Sequence, residues 1–161
     1  MKNRVTNIVL DTDVTLSPEW AQERDIALKD LADENSFALP DRNGVPPEPG
    51  PYHLHLALKD RRLVFDIRTS TDDRLTEFHL SFGPFADAVR DYAQICESYF
   101  AAVKNLPPAQ IEAIDMARRG IHNEGARVLA ERLEGKVAVD RATARRLFTL
   151  IFILMQAGSS K

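Results

Sequence analysis

Two alternating runs, mirrored about a two-residue turn, constrain this chain more than any other feature. Leu54, Leu56 and Leu58 alternate with His53, His55 and Ala57. Beyond Asp60-Arg61, the residues Leu63, Phe65 and Ile67 alternate with Val64, Asp66 and Arg68. Side chains along a strand point to opposite faces in turn, so each run presents one apolar face. A turn at Asp60-Arg61 sets Leu58 against Leu63, Leu56 against Phe65 and Leu54 against Ile67, and a slip of one residue would destroy that match. The prediction is a β-hairpin. Thr76 to Phe82, with Phe78 and Leu80 on the same face, extends it to a three-stranded antiparallel meander.

From Pro84 the period changes. Phe85, Val89, Tyr92, Cys96, Tyr99 and Val103 form an apolar stripe down a long helix ending near Asn105. Pro107-Pro108 opens another helix, which runs through Arg119 to Gly120, either a stop or a tolerated interior glycine. A further helical stretch covers about Asn123 to Leu133 and is closed by Gly135. Asp140 caps a last helix that is apolar on every side from Leu147 onward.

Ahead of the hairpin, Val5 to Leu10 reads as a short strand. Ser17-Pro18 supplies a hydroxyl N-cap and a proline at the first helical position. That helix runs to about Glu34, with Trp20, Ala27 and Leu31 on one face and charges opposite. Residues 38–51 hold five prolines and two glycines in fourteen positions and read as a mobile connecting loop. Strand, helix, three strands, then helices is a segregated order. It predicts an α+β fold: a small antiparallel β-meander, a single layer of sheet, packed against four to five helices. At 161 residues, residues 1–161 are expected to form a single domain.

Charge and cysteine content narrow the partners. The net charge is −3, which disfavours nucleic acid as a partner. Residues 1–80 carry 10 Lys and Arg against 15 Asp and Glu, whereas residues 81–161 carry 11 against 9, so a local anion site in the second half is possible. Cys96 is the single cysteine, so no intrachain disulfide is expected and no oxidising compartment is required. No apolar segment follows Met1 to Val5, so a signal peptide is not expected. The most apolar run, Leu147 to Met155, is far shorter than the roughly 20 residues of a membrane span. A cytoplasmic protein without a membrane partner is the expectation. No Gly-rich strand–turn–helix junction is present, so no cofactor is implied.

Several stretches resemble one bacterial family. They are Glu34-Asn35-Ser36-Phe37, Pro51-Tyr52, Ile95-Cys96-Glu97-Ser98-Tyr99, Ile111-Glu112-Ala113-Ile114-Asp115-Met116, Arg118-Arg119-Gly120 with His122-Asn123-Glu124-Gly125, and Thr143-Ala144-Arg145-Arg146-Leu147-Phe148-Thr149-Leu150. The family is the uncharacterised protein family numbered 0262, and the resemblance spans nearly the whole chain. It implies a stand-alone cytoplasmic bacterial protein and carries over no functional residue.

Three places could hold chemistry. If the helix continues through Gly120, Asp115, Arg118 and His122 fall within an arc of about 60° at 100° per residue. Asp115 can pair with Arg118 or Arg119. The functional reading is a pocket for a phosphate- or carboxylate-bearing ligand, with Arg118 and Arg119 as forked donors and His122 as proton carrier. The simpler reading is an ion-pair network locking two helices together. The second place is the opening of the last helix, where Arg141, Arg145 and Arg146 sit against the dipole. Either Asp140 and a nearby Glu or a bound anion could compensate them.

The third place is the polar face of the sheet. The hairpin sets His55 across from Asp66 and His53 across from Arg68. A following turn at Thr71-Asp72-Asp73-Arg74 would align His55, Asp66 and His79, a weak candidate metal or proton-transfer row. The outer imidazoles would be about 9.5 Å apart at the backbone, stretched for one small ion. Shifting that turn by two residues puts Glu77 opposite Asp66 and removes the row. No metal is favoured. Cys96, inside the apolar stripe, reads as a small buried hydrophobe rather than a nucleophile.

Two functions compete. One is a non-enzymatic binding or assembly module forming a homo-oligomer through the C-terminal helix, because a helix apolar all round is either central or shared with a second copy. The other binds or acts on a small anion at Asp115, Arg118, Arg119, His122, Arg145 and Arg146.

Overall fold

The computed structural model describes residues 3–11 and 16–159 of the chain. Its elements run β1 (Val5–Leu10), α1 (Pro18–Asp33), β2 (Phe37–Ala38), β3 (Tyr52–Lys59), β4 (Arg62–Thr69), β5 (Arg74–Ser81), α2 (Gly83–Asn105), α3 (Pro108–Leu133), β6 (Ala138–Val139) and α4 (Arg141–Ser159). The fold is α+β.

Asp60 and Arg61 take left-handed φ values of 52° and 62°, the geometry of the tight hairpin turn whose twist matches the flanking strands. The pairs Leu58–Leu63, Leu56–Phe65 and Leu54–Ile67 form as the alternation requires. β5 adds antiparallel to β4, completing the meander. The sheet has a fourth strand, however: β1 lies parallel to β3 on the outer edge, giving the order β1-β3-β4-β5. Alternation within β1 could not reveal that direction. It follows from α1, which carries the chain back across the sheet before β3 begins. Within residues 38–51, Arg42 and Val45 pair around Asn43 and Gly44, both at positive φ, and the Tyr52 hydroxyl donates to the Glu48 carbonyl at 2.7 Å.

α3 is continuous, so Gly120 is an interior residue and no break occurs before Asn123. Leu147, Phe148 and every residue from Leu150 to Met155 are at most 2% exposed. α4 is therefore the centre of the helical layer. Trp20 of α1 and Tyr92 of α2 both meet Phe152 edge-on, at 5.0 and 4.8 Å between ring centroids, and His122 of α3 meets Phe148 at 5.3 Å. That all-round apolar surface is covered within one chain, and the reason for expecting a homo-oligomer through the C-terminal helix falls away. Val103, placed on the buried stripe of α2 by its spacing, is exposed, because the stripe loses its cover towards the α2–α3 turn.

The segment after α1 is a junction between layers. The Asn35 side chain accepts from the Val5 amide and donates to the Val5 and Leu31 carbonyls at 2.7–2.8 Å, tying β1 to the end of α1. The Ser36 amide donates to Thr143 Oγ1 at 2.9 Å, while Asp140 Oδ1 caps the Thr143 amide at 2.8 Å. The start of α4 is thereby held beside α1.

Candidate functional site at the α1–α4 cavity

The charged cluster read from α3 divides in two. Asp115 accepts from Arg118 Nε at 3.0 Å and Arg118 Nη2 at 2.6 Å, and its other oxygen takes Arg119 Nη2 at 2.8 Å. The Arg118 guanidinium also lies 4.8 Å from the centre of the Tyr99 ring. Burial alone would weaken the Arg118 charge. The hydrogen bonds it donates to Asp115, and the nearby Tyr92, outweigh that and raise the pKa further above the usual guanidinium range. Asp115, Arg118 and Tyr99 form an internal network joining α3 to α2.

His122 faces the other way, towards α4. Its Nε2 lies 2.7 Å from Thr149 Oγ1, and the Thr149 hydroxyl donates to the Arg145 carbonyl at 3.4 Å. A hydroxyl has one proton, so that arrangement assigns the Nε2–H to His122. The ring is packed edge-on between Tyr92 and Phe148. Burial, and then the positive charges of Arg145 and Arg118, lower its pKa to about 4. The ring is neutral at neutral pH. It is placed as a hydrogen-bonding group rather than as the proton carrier its sequence context pointed to.

His122 and Thr149 line a cavity of about 260 Å³ between α1 and α4, together with Arg145 and Arg146 on one side and Glu23 and Asp30 on the other. Arg146 Nη1 donates to the Glu34 carbonyl at 3.1 Å, so the carbonyl end of α1 partly offsets its charge. Arg145 makes no side-chain hydrogen bond or ion pair among the described residues. A larger hollow of about 600 Å³ lies between α3 and α4 and also touches Arg145. Its other long cations are Arg127, already paired with Glu124 and Glu131, and Arg141, and no imidazole or hydroxyl side chain lines it. The smaller cavity is the one that sets Arg145 beside an imidazole and a hydroxyl.

Sequence reasoning reached His122, Arg145 and Arg146 but missed Glu23, Asp30 and Thr149. Glu23 and Asp30 are two helical turns apart and flank Ala27, which is buried. That spacing was the available signal, although charges on α1 read as a solvated face.

The metal row does not form. β5 pairs with Glu77 opposite Asp66 and His79 opposite Val64, so His55, Asp66 and His79 are not aligned. Asp66 instead accepts from Arg68 Nη2 at 2.9 Å and Arg74 Nε at 3.3 Å. Burial works against its charge, but the two arginines prevail and hold the carboxyl below its usual range. Among the described residues, no group of three or more His, Cys, Asp or Glu gathers as metal ligands would. No described helix is long and apolar enough to cross a membrane. Cys96 is buried, and burial pushes its thiol up to about 11, so it carries no reactive thiolate.

Residues 2–157 match the Uncharacterised protein family (UPF0262). A UPF0262 protein of Cereibacter sphaeroides is 64% identical over 154 residues, covering 94% of this chain and 98% of that relative. Another from Roseobacter denitrificans is 60% identical over 159 residues, covering 97% and 99%. A third, from Paracoccus denitrificans, is 61% identical over 155 residues, covering 95% and 96%. No solved structure matches the chain.

Proposed function

This chain belongs to the uncharacterised bacterial protein family UPF0262, and we propose that it is a binding module for a small carboxylate- or phosphate-bearing ligand held in the α1–α4 cavity. One observation carries the reading. Arg145 projects from the first turns of α4 without a protein partner among the described residues, beside a half-buried neutral imidazole and a hydroxyl. A guanidinium in that position offers forked donors to an oxyanion. The nearby helix start adds positive field. Binding rather than catalysis is favoured because His122, the one imidazole at the cavity, has a pKa of about 4 and is a weak base at neutral pH.

Asp115, Arg118 and Arg119 are assigned a structural role in this reading, since each already has its partner. Thermal-shift measurements with inorganic phosphate, nucleotides and simple carboxylates test the proposal. A ligand-dependent rise in melting temperature is expected for the wild type and should vanish in Arg145→Ala. A rise that survives Arg145→Ala unchanged would count against it.

Self-association is the second reading. Its support comes from the α2–α3 hairpin, where Val103, Leu106 and Met116 are 52%, 41% and 66% exposed. Light scattering at high micromolar concentration decides it: a monomer there removes the reading.

A further inference from the structure

We infer that the α1–α4 cavity selects a zwitterion, a small ligand carrying a carboxylate at one end and an ammonium at the other. The inference rests on the binding proposal above and deepens it.

The charges lining the cavity balance. Arg145 and Arg146 of α4 stand across from Glu23 and Asp30 of α1. Four long or flexible charged side chains of opposite sign surround one small space, yet no oxygen of the two acids lies within 4.0 Å of a nitrogen of the two arginines. Neither Glu23 nor Asp30 makes a side-chain hydrogen bond or ion pair with any described residue. The two helices hold the opposing charges apart, and the space between them is what a ligand would occupy.

This arrangement decides between ligand classes. A plain anion drawn to Arg145 would also approach two carboxylates, so the attraction of one wall is offset by the repulsion of the other. A plain cation meets the converse. A molecule with both charges places each against its opposite and bridges two walls that do not reach each other. Glu23 and Asp30 lie seven residues apart, about 10.5 Å along the axis of α1 at 1.5 Å per residue. Ligands of slightly different length could therefore seat the ammonium on either acid. His122 contributes a neutral hydrogen-bonding group that leaves the balance of charge unaltered. The chemistry described is that of an amino acid or a short ω-amino carboxylate.

Calorimetric titration of the full chain tests this with matched probes: glycine, β-alanine, γ-aminobutyrate and 5-aminovalerate, each against the carboxylate of equal chain length without the amine. At least one amino carboxylate should bind about tenfold tighter than its deaminated partner, the worth of one charge-assisted hydrogen bond. Glu23→Gln combined with Asp30→Asn should bring the two affinities to within about twofold, while Arg145→Gln should weaken both probes. Both acids sit at the surface of α1, and circular dichroism of the double variant confirms that it folds. Equal binding of amino and deaminated probes by the wild type would overturn the zwitterion inference and leave the anion proposal standing. No binding by any probe, phosphate included, would overturn both.

Discussion

The ring of Phe148 lies directly against the bare α-carbon of Gly125, so that a β-carbon at that position would overlap the ring, only 2.5 Å from Phe148 Cε1. This contact lets α3 and α4 approach closely and holds Phe148 against His122. Gly125→Ala is expected to destabilise the protein by about 1–3 kcal/mol through overpacking, although alanine is intrinsically the better helix former. Gly120, on the same helix, has open space where a methyl group would stand, with nothing within 4 Å. Gly120→Ala should therefore stabilise by roughly 0.5–1 kcal/mol. Urea midpoints for the two variants should move in opposite directions.

The Asp115–Arg118–Tyr99 contact should behave as structure. Truncating Asp115 leaves the half-buried Arg118 without its 2.6 Å partner, and Asp115→Ala should cost about 1–3 kcal/mol. Arg119 is 67% exposed at its side chain, so Arg119→Ala should change stability by no more than about 0.5 kcal/mol. Denaturant unfolding of the two variants separates the roles. A larger loss at Arg119 would reverse the assignment.

His122 gives a pH dependence of definite sign. Its folded pKa of about 4 lies below the ordinary 6.5. Above roughly pH 6.5 the ring is neutral in both folded and unfolded chains. Between there and about pH 4 the unfolded chain takes up a proton that the folded one refuses, so stability falls as the pH drops; below that window the group adds no further slope. The stability gap between wild type and His122→Gln should shrink by about 3 kcal/mol from pH 7 to pH 4. Proton NMR of the imidazole provides the direct check, and a midpoint near 6.5 in the folded protein would contradict the half-buried, neutral assignment.

The sheet was legible because its information is local. Parity on either side of Asp60-Arg61 admits one hairpin register, and no distant residue is needed to find it. The second turn was less determined: two registers kept parity, and the chain takes the one that lets Arg68 and Arg74 converge on Asp66. Helical periodicity likewise recovered the stripe from Phe85 to Cys96 and placed Asp115 near Arg118. It could not say that α4 would be central, because an apolar surface looks the same whether its cover comes from its own chain or from another. Nor could it show that His122 turns towards Thr149 while Arg118 turns towards Tyr99. That division depends on which helices flank α3, and Glu23 and Asp30 enter the site only because α1 packs beside α4.

Ligand binding at the α1–α4 cavity requires Arg145 to be available while Arg118 is committed to Asp115. Calorimetric titration of Arg145→Ala and Arg118→Ala side by side, each with the tightest-binding anion or amino carboxylate found for the wild type, tests that division most directly. Arg145→Ala should lose binding with little change in melting temperature, and Arg118→Ala should melt lower yet bind with wild-type affinity. Loss of binding in Arg118→Ala with retention in Arg145→Ala would contradict it.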